Sequence, residues 1–151
     1  MSQPLETAAE RAAAFIGFAC DEGVRRNQGR QGAKEAPAAV KAALARLPWH
    51  LPEGAAAYDA GDVVCVDGHL EQSQAELGIA IARLLQHNMA PIVIGGGHET
   101  AYGHYLGVRE ALGTDARLGI STSMPISTCG RMMTGRHPGR CFGKYWIKTI
   151  K

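Results

Sequence analysis

The decapeptide from Pro91 to Thr100, Pro-Ile-Val-Ile-Gly-Gly-Gly-His-Glu-Thr, constrains this chain more than any other stretch. Ile92, Val93 and Ile94 are consecutive and β-branched, which suits a short strand buried on both faces of a parallel sheet. Gly95, Gly96 and Gly97 then let the backbone turn without a Cβ penalty. A helical period begins near Thr100 and runs to Leu112, where Gly113 closes it. His98 therefore falls at the carboxyl end of a strand, where open α/β sheets place their ligands.

The flanking sequence supplies the rest of such a sheet. Ala14 to Cys20 predicts a first buried strand, followed by a polar, glycine-containing loop from Asp21 to Ala33. Val40, Ala43, Leu44 and Leu47 recur at helical spacing over Lys34–Leu47, with Pro37 in the first turn. Val63 to Val66 predicts a second strand. From His69 a longer helix runs to a C-terminal cap at Asn88, with Leu77, Ile81, Leu84 and Leu85 as its buried stripe. Arg117 to Ile120 opens a further strand. This alternation predicts an α/β fold with a mostly parallel sheet.

Charge divides the chain in two. Residues 1 to 120 hold ten Lys/Arg against fourteen Asp/Glu, a balance of −4, and residues 121 to 151 hold six Lys/Arg and no acid, giving +6. A basic tail invites a nucleic-acid reading, which the acidic first part disfavours. Helical and strand periodicity also stop at Ser121, although Tyr145-Trp146-Ile147 is unlike a bland tail. Cys20, Cys65, Cys129 and Cys141 are far apart and form no Cys-x-x-Cys pair, so a disulfide framework or thiolate zinc site is not expected. A reducing, cytoplasmic setting follows as the expectation. No apolar run approaches the roughly 20 residues of a membrane span.

Several chemistries fail on spacing. A zinc-protease helix needs a second histidine four residues after His98, and Tyr102 stands there. The triple glycine matches neither the dinucleotide fingerprint nor the phosphate loop. On local sequence alone, a tight turn with His98 capping the next helix is equally compatible with these residues. Arg25, Arg26 and Arg30 suit either a solvated basic turn or an anion pocket, since guanidinium forks match carboxylates. His50, His69, His87 and His104 are expected at surfaces or helix ends.

The segment Gly17-Phe-Ala-Cys-Asp-Glu-Gly-Val-Arg-Arg-Asn-Gln-Gly-Arg-Gln-Gly-Ala33, taken with Gly95-Gly-Gly-His-Glu-Thr-Ala-Tyr-Gly-His104, resembles the formimidoylglutamases of the arginase and agmatinase superfamily. The Gly-Gly-x-His turn is shared across that superfamily, whereas the Asp-Glu-Gly-Val-Arg-Arg-Asn-x-Gly-Arg loop points to the formimidoylglutamase branch. The resemblance covers about residues 14 to 120. It implies a three-layer α/β fold with two manganese ions at the carboxyl edge of the sheet, and His98 as a ligand of one. It also implies a metal-bridging hydroxide that attacks the amidine carbon of N-formimidoyl-L-glutamate, releasing formamide and glutamate. Under it, Arg25, Arg26, Asn27 and Arg30 become candidate substrate-binding residues, because an arginine-rich loop fits a substrate with two carboxylates better than a cationic guanidine.

The sequence departs from that pattern after Ile120. The family's second motif, Asp-Ala-His-x-Asp, and its later Asp-x-Asp are both absent, leaving one ligand where a hard metal pair needs several carboxylates. Codons for Ile120 to Gly130, read from their third base, permit Leu-Asn-Leu-Asp-Ala-His-Leu-Asp-Leu-Arg. A frameshift near Ile120 is therefore the expectation. Residues 1–120 would be the amino-terminal part of an arginase-like domain, its sheet incomplete, and 121–151 a non-family tail, out of frame or disordered. The chain alone is expected to be inactive. Its expected partners are a small-molecule substrate and, with a sheet edge left open, further copies in a homo-oligomer. Neither nucleic acid nor a membrane is expected. Other ureohydrolase substrates and a non-catalytic binding fragment are the alternatives.

Overall fold

The computed structural model describes residues 12–50, 52–123 and 144–149, with the backbone only for 121–123 and 144–149. Two compact units divide the chain, Met1–Ala111 and Leu112–Lys151. The first is built on β1 (Ala13–Ala19), in which Ala14, Ile16 and Phe18 are at most 2% exposed. These three share the strand's buried face, Gly17 is the buried residue of the other, and β1 is the middle strand of a three-stranded parallel sheet, β2 (Ala57–Val64), β1, β3 (Ala90–Gly95). Register runs Ala13↔Ala57 on one side and Ala13↔Ala90 on the other.

β2 is longer and more polar than the predicted Val63–Val66 strand. It lies at the edge of the sheet and is largely solvated, so no apolar alternation marks it. Its register against β1 slips between Phe15 and Gly17, and Lys41 Nζ clasps the irregular stretch through Asp59, Asp62 and the Gly61 carbonyl.

The Asp21–Ala33 segment, expected as loop, contains the short helix α1 (Glu22–Arg26) and runs into a 3-10 turn, Ala33–Glu35. Helix α2 (Ala36–Leu44) follows. Its expected apolar stripe is not buried, with Val40, Leu44 and Leu47 40%, 37% and 65% exposed. The helix instead buries Pro37 and directs Lys41 to β2, so polar pairing rather than apolar periodicity fixes its seat. Helix α3 (Leu70–Gln86) buries Leu70, Ser73, Gln74, Leu77, Gly78, Ile81 and Ala82, the three-and-four spacing of an amphipathic helix. Asn88 caps it in the left-handed region at φ 57. Helix α4 (Thr100–Leu112) covers the predicted span and packs on α3 through small residues. At Gly107 a Cβ would lie 2.6 Å from both the Gly78 carbonyl and Ile81, so only glycine allows this approach.

Parallel strands need right-handed crossovers, so strand order 2-1-3 sends α2 to one face and α3 to the other. The winding reverses between β1 and β3, and such a reversal opens a crevice at the strands' carboxyl ends.

In the second unit, β4 (Leu118–Ser123) pairs antiparallel with β5 (Lys144–Thr149). This corrects the expectation that the Arg117 strand continues the parallel sheet. The competing partner is the Tyr145-Trp-Ile147 run, whose residue types favour pleated pairing. The rest of the expected out-of-frame tail lies outside the described residues.

Candidate functional site

The crevice between β1 and β3 is where the glycine turn and the arginine loop meet. Beyond the last residue of β3, Gly96 N–H donates to the Phe18 carbonyl at 2.8 Å and Gly97 N–H to the Cys20 carbonyl at 2.8 Å. A Cβ at Gly96 would overlap the Cys20 carbonyl oxygen, which explains why the chain needs glycine there. The Thr100 hydroxyl then donates to the Gly97 carbonyl at 2.7 Å and starts α4. His98, held between these anchors, is exposed.

Glu99 connects the turn to everything around it. Its carboxylate accepts the Gly23 N–H at 3.0 Å, and its carbonyl accepts the Gln74 side-chain amide of α3 at 2.9 Å. One residue thus ties α1, α3 and α4 together. Sequence reasoning passed over Glu99, because a link from residue 99 to residue 23 leaves no local signal.

The arginine loop is closed by its own acids. Asp21 Oδ2 accepts the Gly32 N–H at 2.7 Å, drawing the loop's end back to its start. Glu22, 9% exposed, accepts Arg25 through Nε and Nη2, both at 2.7 Å, and Arg26 Nε at 2.9 Å. These guanidinium hydrogen bonds hold its carboxyl well below the usual range, at about 2. Arg26 also donates to Glu71 of α3 and to the Gly68 carbonyl at 3.2 Å. Its fork is fully engaged, whereas Arg30 is exposed and forms no ion pair among the described residues. Asn27 follows α1 as its C-terminal cap. Of the other histidines, His69 and His87 flank α3 as expected, and His50 is exposed. His104 instead lies within α4, where burial lowers its pKa.

Beside this loop, a cleft of about 250 Å3 opens at the ends of β1 and β2, lined by Cys20, Asp21, Glu22, Gln31, Lys34 and Cys65 among others. Among the described residues no three His, Cys, Asp or Glu side chains gather as a metal site. Manganese prefers several carboxylate oxygens. The Glu99 carboxylate faces Gly23 and Gly97 instead, so the described residues do not fit such an ion. Among them no helix is long and apolar enough to cross a membrane.

Known proteins match this arrangement. The chain is 88% identical over 120 residues to the formimidoylglutamase of Geobacillus kaustophilus, covering 80% of this chain and 37% of the relative. It is 82% identical over 120 residues to that of Geobacillus thermodenitrificans, again covering 80% and 37%. The crystal structure of Trypanosoma cruzi formiminoglutamase with Mn2+ superposes with a TM-score of 0.61 and 32% identity, over 76% of this chain and 40% of that one. The chain thus spans a little over a third of the length of these relatives. The arginase family model matches residues 11–120, with β1, the arginine loop and the glycine turn inside the match, and the chain belongs to the arginase family.

Proposed function

We propose that residues 1–120 are the amino-terminal part of a cytoplasmic formimidoylglutamase, a hydrolase that splits the amidine C–N bond of N-formimidoyl-L-glutamate into formamide and L-glutamate. The observation that carries this reading is the 88% identity to the Geobacillus kaustophilus formimidoylglutamase, which extends over 120 residues. In the complete fold, His98 is one ligand of a two-ion manganese site whose other donors lie outside the described residues. Arg30, with Arg25 and Asn27 of the same loop, faces the glutamate carboxylates. Arg26 is a strut, because Glu22, Glu71 and the Gly68 carbonyl already occupy its donors.

The chain as it stands is inactive in this reading. The family match ends at residue 120, where the charge balance also reverses, and both support a frameshift near Ile120. Two tests apply. Purified 151-residue chain supplied with Mn2+ and N-formimidoyl-L-glutamate releases no formamide, and metal-dependent release would refute inactivity. In the gene, the codons of Ser121, Ser123 and Pro125 read one frame over as Asn, Asp and His; any other outcome removes the frameshift.

A further inference from the structure

The cleft at the ends of β1 and β2 contains two thiols that the proposed hydrolysis does not use. Ala19 is paired with Val64 in the parallel register, which makes Cys20 and Cys65 the next pair along. Cys65 N–H donates to the Ala19 carbonyl at 3.2 Å, so strand pairing continues to this point. Neighbouring strands run about 4.7–4.9 Å apart. Disulfides span Cα separations of about 4.4–6.8 Å, a range that includes this strand spacing. Both cysteines are free and both line the cleft, Cys20 fully buried and Cys65 half-buried. Their spacing of 45 positions in sequence hides a contact that the sheet creates.

We propose that Cys20 and Cys65 are an oxidisable dithiol, closed by a hydroperoxide into a disulfide that staples β1 to β2 beneath helix α1.

Exposure sets the order of events. The Cys65 thiolate attacks a peroxide oxygen, the O–O bond breaks, and the departing hydroxide takes up a proton to leave as water. Cys65 becomes a sulfenic acid. Cys20 Sγ then attacks Cys65 Sγ, the S–O bond breaks, and the hydroxyl leaves with the Cys20 proton as a second water. The two thiols lose two electrons and the peroxide gains them. Burial, the neighbouring Cys65 and Glu99 push the Cys20 thiol up to about 12 and keep it protonated, which leaves the more exposed Cys65 as the thiol that meets peroxide first. The product fixes the residue immediately before Asp21 and so restrains the start of the arginine loop.

The test treats the folded 151-residue chain with hydrogen peroxide, alkylates remaining thiols and maps cysteine peptides by mass spectrometry. The expected result is loss of both free thiols together in a peptide pair linking Cys20 to Cys65, restored by dithiothreitol. Cys65→Ser leaves Cys20 reduced under the same treatment. A variant carrying Cys129→Ser and Cys141→Ser, which spares the pair, still forms the link, and it serves should Cys65→Ser not fold. Cys65 oxidised to sulfinic acid beside a still-free Cys20, or links only through Cys129 or Cys141, would overturn the proposal.

Discussion

The backbone N–H of Gly23 donates to Oε1 of Glu99 across 76 positions of sequence, at 3.0 Å. Through this bond the helix after β1 and the turn after β3 share one anchor, with Gln74 of α3 holding the Glu99 carbonyl from behind. Glu99→Ala leaves the Gly23 N–H without its partner, and hydrogen bonds to charged groups contribute about 1.5–3 kcal/mol. Urea denaturation followed by circular dichroism should show a loss toward the lower end of that range, with Glu99→Gln recovering most of it. Equal midpoints for wild type and Glu99→Ala would contradict the anchoring role.

Gly96→Ala tests the close approach of the turn to β1. The added methyl would overlap the Cys20 carbonyl and crowd the Phe18 carbonyl, neither of which can rotate away. Overpacking of this kind costs about 1–3 kcal/mol. Thermal melts should show a clear fall in Tm, while Glu110→Ala on the exposed side of α4 should change little.

Glu22 predicts a specific acid sensitivity. Its carboxyl is lowered from 4.5 to about 2 by hydrogen bonds from Arg25 and Arg26. A group with a depressed folded pKa binds fewer protons folded than unfolded, so its contribution is complete above the unfolded value and is lost as pH falls toward the folded one. The stability difference between wild type and Glu22→Gln should therefore be flat near neutrality and shrink between pH 4.5 and about 2. A difference that stays constant across that window would argue against the pairing.

Arg26 and Arg30 should separate structure from recognition. Arg26→Ala removes partners from Glu22, Glu71 and the Gly68 carbonyl, and should lower the urea midpoint. Arg30→Ala should leave the urea midpoint unchanged. In a complete, active form it should instead raise KM for N-formimidoyl-L-glutamate. The reverse pattern would exchange their roles.

Residues with strong local patterns were legible before any coordinates. β1, β3, α3 and α4 follow from apolar runs, a three-and-four stripe and glycine or asparagine caps, and the structure keeps Asn88 and Gly113 at positive φ; β3, expected to be buried on both faces, is instead an edge strand of the described sheet with Ile92 43% exposed. Features set by distant partners were not. Helix α1 has five residues and is held by Glu22 pairing with Arg25 and Arg26, too short for a period to show. The edge position of β2 removed its alternation, and β4 took a partner 21 to 31 positions away, from Ser123↔Lys144 to Leu118↔Thr149, instead of joining the parallel sheet. At the site, His98 was visible as a residue type at a strand end, whereas Glu99, Glu71 and Gln74 act through contacts that only the fold creates.

Under the proposed function, residues 1–120 are a competent amino-terminal part of a formimidoylglutamase. Joining them to the remaining carboxy-terminal part of the Geobacillus kaustophilus relative and assaying formamide release with Mn2+ tests it most directly. The expected result is hydrolysis of N-formimidoyl-L-glutamate, lost in His98→Ala, with agmatine and arginine left intact. A folded, manganese-loaded chimera that releases no formamide, or that prefers agmatine or arginine, would contradict it.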